Sequence, residues 1–261
     1  MIRLEDATVE LGATAFFHGL SLPFAAGKLT GVLGPNGSGK TTLLRLASAE
    51  LAPTRGRVTF DGRDASSLSA LEKAQQRGLM MQASELAFEF TVFELCAMGL
   101  APFARKRPEQ VRAAVHAVAE QVGLVSLLER SVRSLSGGER QRAHLARVLL
   151  QVEASSAAHP ALLLDEPASH QDPAWQLALF DLLRERAAKG VTVIAVIHDL
   201  ALAARSCDQL VLLERGTLVR AGSVDEVFGS GDVAKVFAVE LEYEPRASER
   251  PPRLSLSGRK A

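Results

Sequence analysis

Cysteine, tryptophan and tyrosine are scarce in this chain, and it has no long apolar run. Its 261 residues include two cysteines, one tryptophan and one tyrosine. Cys96 and Cys207 lie far apart and match no metal-ligand spacing, so we expect both to be reduced packing residues. No apolar run approaches the roughly 18–20 residues that a bilayer crossing needs, and the first residues lack a signal-peptide pattern. We therefore expect a cytoplasmic chain with no membrane span of its own.

An excess of one charge is also lacking. Lysine and arginine together number 30, as do aspartate and glutamate, so the formal net charge is zero. This balance argues against a broad nucleic-acid-binding face. Apolar residues, in contrast, are plentiful, because 47% of the chain is hydrophobic. That is enough to bury a proper core, and the length fits one domain with a lobe or an insertion.

The most specific motif is GPNGSGKT at residues 34–41, which fits the pattern G-x-x-x-x-G-K-[ST] after a strand-like apolar run. Its glycines let several backbone N–H groups turn toward one anion, and the helix that follows adds its positive dipole end. Lys40 can then reach the β- and γ-phosphates, while the Thr41 hydroxyl ligates Mg²⁺. The competing reading is an ordinary glycine-rich turn, which the placement of Lys40 and Thr41 disfavours. The candidate nucleotide-binding residues are Gly34, Pro35, Asn36, Gly37, Ser38, Gly39, Lys40, Thr41 and Thr42.

A second phosphate-handling element is the apolar, strand-like stretch at residues 161–166, which ends in Asp165 and Glu166. Asp165 suits an outer-shell contact with Mg²⁺. Glu166 suits polarising a water for in-line attack on a γ-phosphate, because a desolvated carboxylate becomes a better base. The alternative is an acidic pair in a solvated loop, which would be preferred if the glycine-rich motif were absent. Together the two elements predict that the chain binds and hydrolyses ATP.

A third motif, LSGGERQR at residues 135–142, completes a resemblance to the nucleotide-binding subunits of ABC transporters. It is similar to the signature sequence of that family. The resemblance implies that Ser136, Gly137 and Gly138 hold a phosphate of an ATP bound on another subunit, at a helix N-terminus. Two ATP molecules then lie between two chains. One phosphate-binding loop per chain therefore implies a homodimer.

Further site residues follow from the resemblance. Gln82 matches the family's glutamine that contacts Mg²⁺ and the attacking water, and His198 matches the switch histidine that touches the γ-phosphate. A structural capping role is the alternative for His198. Asp172 occupies the position of the family's dimer-facing aspartate, within SHQD where the family usually has SALD. His170 and Gln171 depart from that pattern.

The adenine-stacking residue is a second departure from the family. The family usually stacks adenine on an aromatic side chain after the first strand, and Leu11 stands where a tyrosine is common. Phe16 or Phe17 can take over the stacking, and core packing of both is the equal alternative. Phe16 is the residue we assign to this position.

The implied fold is α/β, a P-loop NTPase of ABC type. It has a mostly parallel core sheet, an antiparallel β subdomain and an inserted α-helical lobe. The ATPase domain covers residues 1–245, with the lobe at about residues 83–135. Residues 246–261 form a basic tail rich in proline and serine, for which the composition predicts disorder. A solvated tail is favoured over contact with anionic lipid, because its charges are few and spread out.

The sequence of the helical lobe indicates which process ATP hydrolysis drives. Residues 84–103 are similar to the branch of the family that imports ferric siderophores, haem and cobalamin, and the short loop at residues 151–160 resembles haem importers. The resemblance implies an integral-membrane permease dimer as partner, and indirectly a periplasmic or extracellular binding protein. The chain would lie peripherally on the cytoplasmic face of the inner membrane. The side chains that can line the permease groove, or pack in the lobe core, are Phe88, Phe90, Phe93 and Met98.

A soluble ABC-type ATPase is the alternative from another class of protein. Such an enzyme could act on an iron–sulfur cluster assembly scaffold with one phosphate-binding loop and no membrane span. An exporter half would usually carry its membrane span on the same chain. The apolar stretch at residues 84–103 favours the transporter.

Overall fold

The computed structural model describes residues 1–11, 14–81, 88–104, 106–169, 171–245 and 252–259. These residues form three sheets, with helices packed against them. In chain order the strands are β1 (Ile2–Leu11), β2 (Thr14–Phe24), β3 (Leu29–Leu33), β4 (Arg55–Phe60), β5 (Arg63–Asp64), β6 (Arg77–Met80), β7 (Ala161–Leu164), β8 (Thr192–Val196), β9 (Gln209–Glu214), β10 (Thr217–Ser223), β11 (Val239–Glu244) and β12 (Arg253–Arg259). The α-helices are α1 (Lys40–Ala47), α2 (Ala70–Gln76), α3 (Val92–Ala97), α4 (Pro108–Gln121), α5 (Gly137–Glu153), α6 (Pro173–Ala188), α7 (Leu200–Ser206), α8 (Val224–Gly229) and α9 (Asp232–Phe237).

The central sheet has the strand order β10-β9-β3-β8-β7-β6. All of its neighbouring strands are parallel except for the antiparallel edge pair β9–β10. Every residue of β3, β7 and β8 is buried, as expected for parallel strands with both faces covered. The predicted mostly parallel core is confirmed. Because parallel strands end at the same edge of a sheet, the segments after β3, β7 and β8 meet there.

An antiparallel sheet of order β2-β1-β4-β5 lies beside this core. Its buried face joins the central sheet and α1 in one hydrophobic cluster, which includes Leu4, Phe24, Leu43 and Val196. The cluster holds the first turn of α1 in a fixed position relative to the end of β3. This is the antiparallel β subdomain that the family resemblance implies.

The helical lobe comprises α3 and α4, and α5 connects it to the central sheet. Helix α3 begins with a capping box between Thr91 and Glu94, while α4 begins at Pro108, as the sequence predicts. One face of α4 buries Val115 and Val118 against α3 and α5. Of the helices in the described part of the chain, none combines the length and apolar character that a membrane crossing requires.

A buried charge network ties the lobe to the core. The side chain of Arg186, on α6, is only 7% exposed, and its Nη2 lies 2.5 Å from Glu153 Oε1 at the end of α5. The same nitrogen contacts the amide oxygen of Gln121, the last residue of α4. Glu185 Oε2 is 3.9 Å from Arg186 Nη1 and is mostly exposed. One guanidinium therefore joins three helices.

We expect Glu153→Gln to destabilise the chain by about 2 kcal/mol, because it leaves the Arg186 guanidinium buried without its close counter-charge. This value lies below the range for fully buried pairs, since Glu153 is one-third exposed. The measurement is urea unfolding followed by circular dichroism. Glu185→Gln is the matched control, with a loss below about 1 kcal/mol. Equal losses in the two variants would contradict the assignment of Glu153 as the main partner.

The end of the chain differs from the prediction. Residues 253–259 form β12, which pairs antiparallel with β11, so the prediction of disorder is wrong for these residues. On β11, Tyr243 stacks on Phe228 with ring centroids 5.2 Å apart, and its hydroxyl donates to Asp225 Oδ1 at 2.5 Å. Leu254 packs against the main hydrophobic cluster. Composition alone misses this strand because its stability comes from pairing and contacts with distant residues. Residues 246–251 lie outside the described part of the chain.

Candidate active site

The phosphate-binding loop is the turn between β3 and α1. Gly39 adopts a left-handed conformation with φ of 98° directly before the first helical residue, Lys40. Gly34 has a φ of 151°, and a Cβ on it would lie 2.4 Å from the Leu213 carbonyl oxygen. Only glycine fits such a close approach of β9. Asn36 is exposed. The loop therefore presents backbone N–H groups and the N-terminus of α1 at the sheet edge.

Lys40 lies inside this loop. Its ammonium donates to the carbonyl oxygens of Gly34 at 2.8 Å and Pro35 at 3.0 Å. Burial lowers the pKa of Lys40, and the nearby charges of Glu166 and Asp165 oppose that shift. The cation is thus held where a phosphate group can replace the two carbonyls as its partner. Contact of Lys40 with the β- and γ-phosphates stays a prediction.

Asp165 and Thr41 join the two motifs. The Thr41 hydroxyl donates to Asp165 Oδ2 at 2.8 Å, and burial raises the pKa of Asp165. The other carboxylate oxygen, Oδ1, is buried and has no hydrogen-bond partner among the described residues. A buried carboxylate oxygen without a partner, beside a hydroxyl, is the donor set that Mg²⁺ prefers. The residues therefore fit the predicted metal.

Glu166 and His198 lie together after the adjacent strands β7 and β8. His198 Nε2 is 2.5 Å from Glu166 Oε1. Glu166 has a φ of 52°, a left-handed conformation that is strained for a side-chain-bearing residue. The capping of α7 is performed by Asp199, whose Oδ1 accepts from the Leu202 N–H at 2.9 Å. His198 is therefore free of that structural role, and its ring contacts the candidate base.

The signature residues form the exposed N-terminus of α5. Ser136 caps this helix through a reciprocal pair of hydrogen bonds with Glu139, and Gly137 and Gly138 lie in its first turn. Among the described residues, Ser136, Gly137 and Gly138 make no hydrogen bond to the phosphate-binding loop of their own chain. Asp172 caps α6 by accepting from the Trp175 N–H at 2.9 Å. The first turns of both helices carry exposed residues.

The two phenylalanines after β1 have different surroundings. Phe17 is buried, whereas Phe16 is half-buried. A Cβ built on Gly39 would lie 3.2 Å from the Phe17 ring and 3.4 Å from the Phe16 ring, so both rings border the phosphate-binding loop. Phe17 belongs to a hydrophobic core cluster, and Phe16 packs against the same cluster but is only half-buried, so adenine stacking by Phe16 stays a prediction. Gln82 lies outside the described residues, as does the side chain of Leu11.

Two residues, Gly216 and Gln141, make contacts at the site that have no counterpart among the sequence predictions. Gly216, in the turn between β9 and β10, donates its N–H to the Ser38 carbonyl at 3.0 Å and accepts from the Phe17 N–H at 2.8 Å. Gln141, within the signature motif, donates to the Glu166 carbonyl at 2.7 Å. The sequence does not predict which residues the turn at Gly216 contacts. For Gln141 the only signal in the sequence is its place in the motif.

A glycine-rich loop with a buried lysine, next to a strand that ends in two carboxylates, defines a P-loop nucleotide-binding ATPase. The family model described as ABC transporter matches residues 17–169. The chain therefore belongs to the ABC transporter family, as an ATP-hydrolysing member. Its ABC-type fold is confirmed by the solved structure of an ATP-binding cassette of an ABC transporter in its ADP conformation. That structure has a TM-score of 0.76 and 25% identity, covering 91% of this chain and 98% of the other.

Curated relatives extend the similarity over nearly the whole chain. The hemin import ATP-binding protein HmuV of Rhizobium meliloti (strain 1021) is 41% identical over 243 residues, covering 92% of each chain. The protein of the same name from Bordetella avium (strain 197N) is 37% identical over 253 residues, covering 95% of this chain and 96% of the relative.

Proposed function

We propose that the chain powers a membrane importer of haem (hemin) or a related iron chelate, as a homodimer bound to a permease dimer. The observation that supports the cargo is the similarity, over nine-tenths of the chain, to proteins named for hemin import. ATP hydrolysis itself is supported by the arrangement of Lys40, Asp165 and Glu166 at one sheet edge. A periplasmic or extracellular binding protein would deliver the cargo to the permease.

In the proposed mechanism, the P-loop binds the phosphates through its backbone N–H groups, and Lys40 contacts the β- and γ-phosphates. Thr41, Asp165 and Gln82 would hold Mg²⁺, which supplies charge neutralisation on the phosphate oxygens when bound. Phe16 would stack on the adenine, because it borders Gly39 and, unlike the buried Phe17, is only half-buried. Asn36, at the exposed tip of the loop, is placed to contact the nucleotide.

Glu166 is the proposed general base. Its carboxylate polarises a water for attack on the γ-phosphate and takes up the proton of that water. His198, 2.5 Å from Glu166 Oε1, orients the carboxylate and would also contact the γ-phosphate. Gln82 would help to position the same water. Glu166 and His198 follow the adjacent parallel strands β7 and β8, which end at one edge of the central sheet.

Two copies of the chain would form the closed state. Ser136 and Gly137 are exposed at the N-terminus of α5, where Gly138 is half-buried, and the three residues would bind an ATP held by the partner's P-loop. Asp172, at the exposed start of α6, would face the same dimer interface. Each chain thereby completes the site of the other.

The permease would bind at the start of the helical lobe. Phe88 is 72% exposed, and its ring lies edge-on to that of Phe90 with centroids 6.4 Å apart. Phe93 and Met98 instead pack against the hydrophobic core, so they take the core alternative. An exposed aromatic side chain beside a half-buried one is consistent with a partner site. The chain would then be peripheral on the cytoplasmic face of the inner membrane, with no nucleic acid as partner.

Affinity purification from native cells in mild detergent tests this function. We expect the chain to recover a polytopic permease, and a haem-like absorption band from an associated binding protein would identify the cargo. Phe88→Asp should abolish permease recovery. Leu71→Asp is the control, because Leu71 is also an exposed apolar side chain, at 55%, but lies outside the lobe. Recovery of soluble iron–sulfur scaffold proteins without a membrane protein would overturn the transporter proposal and leave the ATPase chemistry intact.

A further inference from the structure

Gln171 connects the segment after Glu166 to the first turn of α5. Its amide nitrogen donates to the Gly138 carbonyl at 2.9 Å and to Gln141 Oε1 at 3.2 Å. The packing is close, because a Cβ on Gly138 would lie 3.1 Å from Gln171 Oε1. This is a position where the usual family pattern SALD has leucine, which has no group to donate. Gln171 therefore makes two hydrogen bonds that a leucine could not.

Gln141 extends the connection to the candidate base. Its amide nitrogen donates to the Glu166 carbonyl at 2.7 Å and to Ser169 Oγ at 3.1 Å, and Ser169 Oγ in turn donates to the Glu166 carbonyl at 2.9 Å. The two ends of the path, the carbonyls of Glu166 and Gly138, can only accept hydrogen bonds. The nitrogens of both glutamine amides must therefore point at them, which fixes the orientation of each amide. A continuous path runs from Glu166 through Gln141 and Gln171 to Gly138.

We infer that Gln171 is a positioning residue that couples the two nucleotide sites of the dimer. The inference rests on the proposed function, in which Glu166 acts on ATP held by its own chain while Gly138 lies against ATP held by the partner. The path fixes the first turn of α5 relative to the backbone of Glu166. When one nucleotide site closes, the other site therefore closes with it. A fully satisfied polar network of this kind rigidifies the segments that it joins.

A purely structural role for Gln171 is the competing explanation, and the chain offers variants that separate the two. The Arg142 guanidinium lies 5.2 Å from the centre of the Trp175 ring, so α5 and α6 stay joined without Gln171. Gln176 donates to the carbonyls of Ala168 and Gln171 at 3.2 and 3.3 Å. It supports the same segment from α6 and makes no hydrogen bond to α5 among the described residues. Gln176→Leu therefore loosens the segment and leaves the path to Gly138 intact.

The test measures ATP-driven dimerisation of the full chain by analytical ultracentrifugation, in a Glu166→Gln background that traps the closed state. That substitution keeps the backbone carbonyl on which the path ends. We expect Gln171→Leu to weaken the dimer at least about tenfold, because the first turn of α5 is then no longer held in position before it binds the partner's ATP and must be ordered on association. Binding of a fluorescent ATP analogue to the monomer should be unchanged. Gln176→Leu should leave dimerisation unchanged.

Four other results of this experiment would overturn the inference. Equal dimerisation of the Gln171→Leu and parent chains would overturn the inference, as would equal losses in Gln171→Leu and Gln176→Leu. Loss of monomer nucleotide binding in Gln171→Leu would also overturn it, since the residue would then maintain the local fold. If the Glu166→Gln parent does not dimerise with ATP, the proposed function itself fails, and the coupling role fails with it. Dimerisation of the Glu166→Gln parent therefore shows whether the proposed function fails or only the coupling role of Gln171.

Discussion

Replacing Glu166 with glutamine should lower ATP turnover by about 10²- to 10⁴-fold, the range that a general base contributes. The substitution keeps the size of the side chain and removes its ability to accept the proton of the attacking water. Lys40, Thr41 and Asp165 remain in place, so ATP binding should persist. Release of phosphate measures turnover, and a fluorescent ATP analogue measures binding. The expected result is normal nucleotide affinity with very slow hydrolysis.

Asp199, which follows the neighbouring strand β8, provides a matched control. Asp199 caps α7 through the Leu202 N–H, so Asp199→Asn removes a nearby carboxylate and keeps the base itself. Asparagine caps a helix as well as aspartate does, and turnover should therefore stay normal. Unchanged turnover in Glu166→Gln would show that another group activates the water. A fall in both variants would point to a general effect of charge near the site.

Most of the site follows from local motifs in the sequence. GPNGSGKT predicts a loop, a helix start and a lysine position because all three depend on residues adjacent in the chain. The apolar runs before it and before Asp165 predict buried strands, and both are confirmed. The start of α4 at Pro108 is likewise confirmed, since proline at a helix start is a local signal.

Contacts between distant segments cannot be predicted in the same way. The 2.5 Å approach of His198 to Glu166 depends on the pairing of β7 with β8, which the sequence suggests only through family resemblance. The contact of Gly216 with Ser38 depends on where a hairpin packs. Strand β12 escapes prediction because composition reports the average polarity of a segment and says nothing about its pairing partner. In each case the missing information is the position of a second segment.

Lys40→Met should weaken ATP binding by about 10²- to 10⁴-fold. Hydrogen bonds to charged groups contribute about 1.5–3 kcal/mol each, and the ammonium is placed to serve two phosphates. Methionine keeps most of the length of the side chain, so the loss reports the charge and its donors. Isothermal titration calorimetry with ATP and with AMP makes the comparison. The advantage of ATP over AMP should largely disappear, because AMP lacks the phosphates that Lys40 contacts.

The thermal stability of Lys40→Met tests whether its ATP affinity is lost through the missing ammonium and not through unfolding. Burial lowers the pKa of Lys40, so the folded chain holds this proton less tightly than the unfolded chain does. Below the unfolded pKa, the charged form of Lys40 therefore contributes less stability than the neutral amine would. This cost offsets the loss of its two hydrogen bonds in Lys40→Met, so the melting temperature of the nucleotide-free protein should change little. Lys28→Met, a matched change at an exposed lysine before β3, should alter neither property. Retained ATP affinity in Lys40→Met would contradict the phosphate-binding role of the loop, because no other cation is held inside it among the described residues.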